Sequence, residues 1–177
     1  MLERYMFTDT QRQELLKSIV VFVDTRERVN SHITDVFDAQ GINYKKKALD
    51  FGDYSFMLPK NEELGIPQNI SFEKDIVIER KNGADELALC FTKTRARFEE
   101  EFTKAKDAKK YLMIENCSYS DIANGNYESD YKCNSFLGSL HSFNLRYNLD
   151  VVFMPDKAYS AMFIFYTFYY YLRELIK

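Results

Sequence analysis

Apolar positions along this chain fall into short β-branched runs separated by stretches with helical spacing. Residues 19–23, Ile-Val-Val-Phe-Val, are continuously apolar, the pattern of a central strand covered on both faces. Ahead of it, residues 7–17 predict a helix with Thr8 or Asp9 as cap and Leu15 and Leu16 as core contacts. Behind it, Asn30 or Ser31 caps a helix that runs to Gln40 and closes at Gly41. Residues 44–49 and 54–58 predict two short strands. Residues 59–69, with two prolines and Gly65, read as a loop, and 70–78 return as a strand that forms a long-tipped hairpin with 54–58. Helix formers dominate 84–108, as one long helix or a broken pair, with Leu87, Phe91, Phe98 and Phe102 among the apolar positions. A strand at 111–115, a turn at 124–126, a helix at 134–147, a strand at 151–154 and an aromatic-rich final helix complete the order.

That order predicts one α/β domain over residues 1–177, a mixed β-sheet flanked by helices on both faces. The last helix is apolar for about fifteen residues, short of the roughly 20 that cross a bilayer. It is expected to pack on the sheet, with a homodimer interface as the other use of its tyrosines. No internal repeat or low-complexity tract interrupts the pattern.

Composition narrows the function. The net charge of −3 argues against a global basic field, yet residues 80–110 hold nine Lys/Arg against six Asp/Glu, which leaves the remainder at −6. Cys90, Cys117 and Cys133 form no C-x-x-C pair and read as free thiols in a reducing compartment. His32 and His141 lack partners at zinc spacing, and no serine sits in a nucleophile-elbow pattern. The first sixteen residues lack the sustained apolar core of a secretory signal, so a cytoplasmic protein is expected.

Charge then appears where apolar runs finish: Asp24-Thr25-Arg26-Glu27, Gly52-Asp53-Tyr54 and Glu79-Arg80-Lys81, followed by Asp85. In open α/β sheets strand ends are the usual place for chemistry. Strand side chains alternate, so Glu79 and Lys81 share a face and Arg80 points to the other. A strand-end salt bridge is the plain structural explanation. However, the hairpin brings Asp53 and Glu79 to one end of the sheet, where two carboxylates repel unless a cation intervenes. Oxygen donors without His or Cys suit a hard ion, Mg²⁺ or Mn²⁺, which keeps waters and binds phosphate oxygens. Lys81 beside them would contact a scissile phosphate, and the arrangement points to phosphodiester hydrolysis.

These residues resemble a known family. Asp53 followed by Glu79-x-Lys81 is the PD-(D/E)xK pattern of restriction-endonuclease-like nucleases. Val-Asp-Thr-Arg-Glu (23–27), Gly-Asp-Tyr (52–54) and Glu-Arg-Lys-x-x-x-Asp (79–85) are similar to the nuclease domain of XPF-type, structure-specific DNA endonucleases, over about residues 20–115. The resemblance implies a restriction-endonuclease-like fold and a Mg²⁺- or Mn²⁺-dependent endonuclease that cuts DNA near duplex/single-strand junctions. It implies Asp53 and Glu79 as metal ligands, Asp24 as an auxiliary ligand directly or through water, and Lys81 as the catalytic lysine. Arg26 and Arg80 would contact phosphate or lock the carboxylates, while Glu27 and Asp85 support the site. For Arg80 an ion pair with Asp85 or Glu27 stands beside that role, and for Asp85 a helix cap. Arg80, Lys93, Arg95 and Arg97 are the candidates for DNA contact. Glu101 stands where the family often has Gln, and the 177 residues contain neither a helicase domain nor a tandem helix–hairpin–helix, which leaves the preferred DNA shape open. A catalytically silent DNA-binding subunit, an RNA-directed enzyme and a purely structural protein are the alternatives.

Overall fold

The computed structural model describes residues 6–177; the first five, part of the stretch read above as lacking a leader's apolar core, lie outside it. Seven strands form one mixed sheet: β1 (Val20–Asp24), β2 (Tyr44–Lys47), β3 (Tyr54–Leu58), β4 (Ile70–Ser71), β5 (Ile76–Lys81), β6 (Lys109–Glu115) and β7 (Leu149–Met154), in the order β2-β1-β3-β5-β6-β7 with β4 beside β3. β1 runs antiparallel to β3, and β3 to β5, whereas β1/β2, β5/β6 and β6/β7 are parallel.

Both faces are covered, which explains the unbroken apolar run of β1. On one face α1 (Asp9–Lys17), α2 (Ser31–Gln40) and α7 (Ser160–Leu175) enclose Val21, Val23, Tyr54, Phe56 and Ile78 with Ile164, Phe168 and Leu172. Phe56 lies between Phe72 and Phe168, with ring centroids 4.4 and 5.2 Å away. Each such buried aromatic contributes about 2–3 kcal/mol relative to exposure. On the other face α3 (Ala84–Thr92), α4 (Arg95–Lys104), α5 (Tyr119–Asn124) and α6 (Cys133–Tyr147) pack Leu87, Phe91, Phe98 and Phe143 against Leu112 and Ile114 of β6. The last helix therefore does pack on the sheet, and among the described residues no helix is long and apolar enough to cross a membrane.

Several boundaries depart from the periodicity, each for a local reason. The strand expected at 70–78 breaks, because Phe72 turns inward onto Phe56 and its carbonyl accepts the N–H groups of Asp75 and Ile76. β5 then continues through Glu79-Arg80-Lys81, since β6 pairs with it along its whole length. The segment 84–108 is the broken pair, interrupted at Lys93-Thr94. α5, absent from the reading of periodicity, is a short helix made by a Ser118/Asp121 capping box and the left-handed Gly125. β2 stops at Lys47 because the Leu49 N–H leaves the ladder and donates to the Asp24 carboxylate at 2.7 Å.

Candidate active site

The site is built around the point where two strands part. β3 and β5 share the single register Tyr54↔Ile78, with the Asp53 N–H donating to the Ile78 carbonyl at 2.9 Å. Beyond it the Arg80 N–H, without a strand partner on that edge, donates to Asp53 Oδ2 at 2.8 Å. Gly52 makes this approach available. Its φ is +72°, and a Cβ there would lie 3.0 Å from the Val77 Cβ. Only glycine meets both demands without strain.

Asp53, Glu79, Lys81, Arg26, Arg97 and Glu101 line one pocket of about 230 Å³, together with Gly52, Cys90, Thr94 and Phe98 among others. Lys81 Nζ lies 2.5 Å from Glu79 Oε1, 3.7 Å from Glu86 and 5.2 Å over the Phe98 ring. Burial and then the Glu79 charge push the Asp53 carboxyl well above the usual carboxylate range. Burial also raises Glu79, against the pull of Lys81. Burial opposes the Lys81 charge, but Glu79 and Asp53 prevail, so its ammonium is held more firmly than in water. At neutral pH Lys81 is thus a fixed positive charge, not a proton acceptor.

Asp24 is fully buried and saturated: Oδ1 accepts from the Arg26 N–H at 2.7 Å and Nε at 2.8 Å, and Oδ2 from Arg26 Nη2 at 3.1 Å and the Leu49 N–H at 2.7 Å. Burial works against its charge, yet these hydrogen bonds hold its carboxyl below the usual range. It does not line the pocket and both its oxygens are occupied, so the structure does not bring it beside Asp53 and Glu79 as the direct ligand expected above; its hydrogen bonds hold Arg26, which does line the pocket.

Three expectations need correction. Arg80 is 5 % exposed, and its guanidinium is committed to Glu27 at 3.1 Å, Glu115 at 2.6 Å and the Val29 carbonyl at 2.9 Å, so it has no face for DNA. The ion pair with Glu27 is its role. Asp85 neither caps α3 nor reaches the pocket; its Oδ1 accepts the N–H groups of Glu128 and Ser129 at 2.9 and 2.7 Å and ties down the chain before α6. Arg95 turns toward α6, bonded to Glu99 and Ser139 and 5.1 Å over the Phe143 ring. Lys93 is exposed where α3 meets α4, and Arg97 lines the pocket while paired to Glu101 at 3.3 Å.

Sequence reasoning assigned no place in or behind the site to Glu115, His32 or Lys110. Glu115 ends an apolar strand in the same way Asp24 does, which was the available signal. Lys110 is buried, and its ammonium donates to the carbonyls of Ala105, Lys106 and Ala108 at 2.9–3.2 Å, closing the end of α4. Among the described residues, no group of three or more His, Cys, Asp or Glu is disposed to hold a metal ion.

The family model of the ERCC4 domain matches residues 23–167, most of the chain. The chain belongs to the ERCC4-domain family. Its fold is that of the XPF-type nuclease domain: XPF from Aeropyrum pernix superposes with a TM-score of 0.61 at 17 % identity, over 88 % of this chain and 66 % of that one. The structure of the same XPF in complex with DNA gives 0.61 at 16 % identity, over 88 % and 65 %. This ERCC4 domain therefore spans just under two thirds of the XPF chains it matches. No curated protein matches it by sequence.

Proposed function

We propose that this ERCC4 domain is a Mg²⁺- or Mn²⁺-dependent DNA endonuclease that hydrolyses phosphodiester bonds where duplex meets single strand, in repair, recombination or replication. The observation that carries the reading is the convergence of Asp53, Glu79 and Lys81 on one pocket from segments far apart in sequence. Two carboxylates that burial holds back from ionisation, Asp53 further so by the Glu79 charge, fit a divalent ion, which would relieve both. Asp53 and Glu79 would hold it, and two protein oxygens leave room for the waters and phosphate oxygens that Mg²⁺ prefers. When bound, the ion supplies Lewis-acid polarisation of a phosphoryl oxygen and charge for the leaving oxyanion.

The chain's own residues do the rest. Lys81, held as an ammonium, stabilises negative charge growing on the phosphate. Arg26, aimed by Asp24, and Arg97 border the same pocket and position the DNA backbone without reading sequence. The DNA-bound XPF of the same fold supports a nucleic-acid partner. Three free thiols support a cytoplasmic setting. The groove of about 660 Å³ between α7 and β6, lined by Tyr111, Phe163, Tyr166 and Tyr170, is the surface we assign to a homodimer.

A silent DNA-binding subunit is the second reading, favoured by one observation, that Lys81 is already paired to Glu79 and Arg97 to Glu101 within the pocket. One experiment separates the two. Branched, flapped and plain duplex DNA are incubated with the chain in Mg²⁺ or Mn²⁺. Cleavage abolished by Glu79→Ala and Lys81→Ala, with the fold retained, supports the nuclease. DNA binding with no cleavage in either metal supports the silent subunit.

A further inference from the structure

β5 carries the site on one face and a buried ionic cluster on the other, and the two meet at Arg80. The Arg80 N–H fixes Asp53 in the pocket, while its side chain, 4 % exposed, bridges Glu27 and the Val29 carbonyl on the β1–α2 connection to Glu115 on β6. Those two anchors lie on opposite sides of the gap that opens where β3 and β5 separate. Backbone pairing secures β5 to β6 but leaves its other edge, beyond Ile78, held by Asp53 alone. The lateral position of that edge therefore depends on the guanidinium bridge. Glu115 is its fully buried end, with Oε2 on Arg80 at 2.6 Å and Oε1 on His32 Nε2 at 2.9 Å, so neither oxygen is free to shift.

We propose that Glu115 is a positioning residue: acting through Arg80, and braced by His32 of α2, it sets the gap in which Asp53 and Glu79 face the pocket. The proposal deepens the nuclease reading and rests on it for its catalytic consequence. Its structural half, that the Arg80 N–H to Asp53 hydrogen bond depends on Glu115, stands apart from catalysis. Glu115→Gln keeps the volume and one acceptor oxygen but removes the charge opposite Arg80.

The test measures amide hydrogen exchange in the ¹⁵N-labelled full chain, together with cleavage of flapped DNA, for wild type and Glu115→Gln. Met113, the β6 residue in register with Arg80, is the internal reference for global stability. Protection of the Arg80 amide is expected to fall at least tenfold more than that of Met113, and kcat to fall at least tenfold with KM for DNA unchanged. Leu16→Ala, which weakens the core at α1 and away from the bridge, should lower both protections together and leave kcat near wild type. If Glu115→Gln does not fold, Glu115→Asp keeps the buried charge but shortens its reach, and the same selective loss at Arg80 is expected in smaller measure. A folded Glu115 variant whose Arg80 protection tracks Met113 and whose kcat is unchanged overturns the proposal. Selective loss at Arg80 with no cleavage by wild type overturns the nuclease reading and leaves the bridge standing.

Discussion

Replacing Asp53 by Asn should make the metal-free protein more stable. Asp53 is pushed well above the ordinary carboxylate range by burial and by the Glu79 charge, so its ionised form is held against an unfavourable field. An unfolded aspartate titrates near 4. Between that value and the raised folded one, the folded state binds more protons than the unfolded state, so wild-type stability rises as pH falls through the folded value. Asn is neutral at every pH and keeps an acceptor for the Arg80 N–H, now 2.8 Å from Oδ2. Against the relief of repulsion stands the exchange of a charged for a neutral hydrogen bond, and Lys81 keeps its shorter pair with Glu79. A net gain of about 1 kcal/mol is expected, in the range found when functional charges are removed, or about 3 °C in Tm for a chain of this size. Thermal melts in EDTA from pH 8 downward should show it, with the difference shrinking as pH falls through the raised Asp53 value and wild type takes up the proton. On the proposed reading, saturating Mg²⁺ or Mn²⁺ should reverse the order, since an ion at 100 times its Kd would stabilise wild type alone by about 2.7 kcal/mol. Asp53→Asn melting below wild type in EDTA at pH 8, or both proteins gaining equally from metal, would refute this account of the site.

Two further outcomes test its surroundings. Gly52→Ala should cost about 2 kcal/mol and lower Tm by about 6 °C in a melt, because the new Cβ meets Val77 at 3.0 Å on a backbone with φ of +72°. In binding titrations, Arg97→Ala should weaken DNA evenly across sequences and reduce the salt slope by about 1, whereas Arg95→Ala, which faces α6, leaves the slope unchanged.

The sheet, its helical cover and the convergence of Asp53, Glu79 and Lys81 were legible because each depends on short-range rules: continuous apolar runs for buried strands, and alternation for which charges share a face. Arg80's separation from its neighbours followed from the same alternation. Its partner Glu115 did not, because parallel pairing of β5 with β6 sets that contact across 35 residues and nothing local encodes it. Asp85 illustrates the opposite error. Motif spacing placed it beside the site, but helix geometry turned it outward to the backbone of residues 128–129. The run Arg95-Ala96-Arg97 misled similarly, since residues two apart on a helix point in different directions and only Arg97 borders the pocket.

The charges around the pocket bear on how an acidic chain would take a polyanion. Arg26, Lys81 and Arg97 face Asp53, Glu79 and Glu101, so the lining is formally balanced, and two of the cations are already paired to carboxylates of the same pocket. A balanced lining attracts phosphate weakly. On the proposed reading, Asp53 and Glu79 would hold a divalent ion whose two positive charges would leave the lining net positive and suited to an anion, with Lys81, now 2.5 Å from Glu79, beside it. Metal and DNA then strengthen one another's binding by the same factor, as linkage requires. The raised carboxylates, the ammonium paired to Glu79 and the modest net charge of the chain would then be parts of one arrangement, in which the protein supplies the oxygen donors and the attraction for DNA would arrive with the ion.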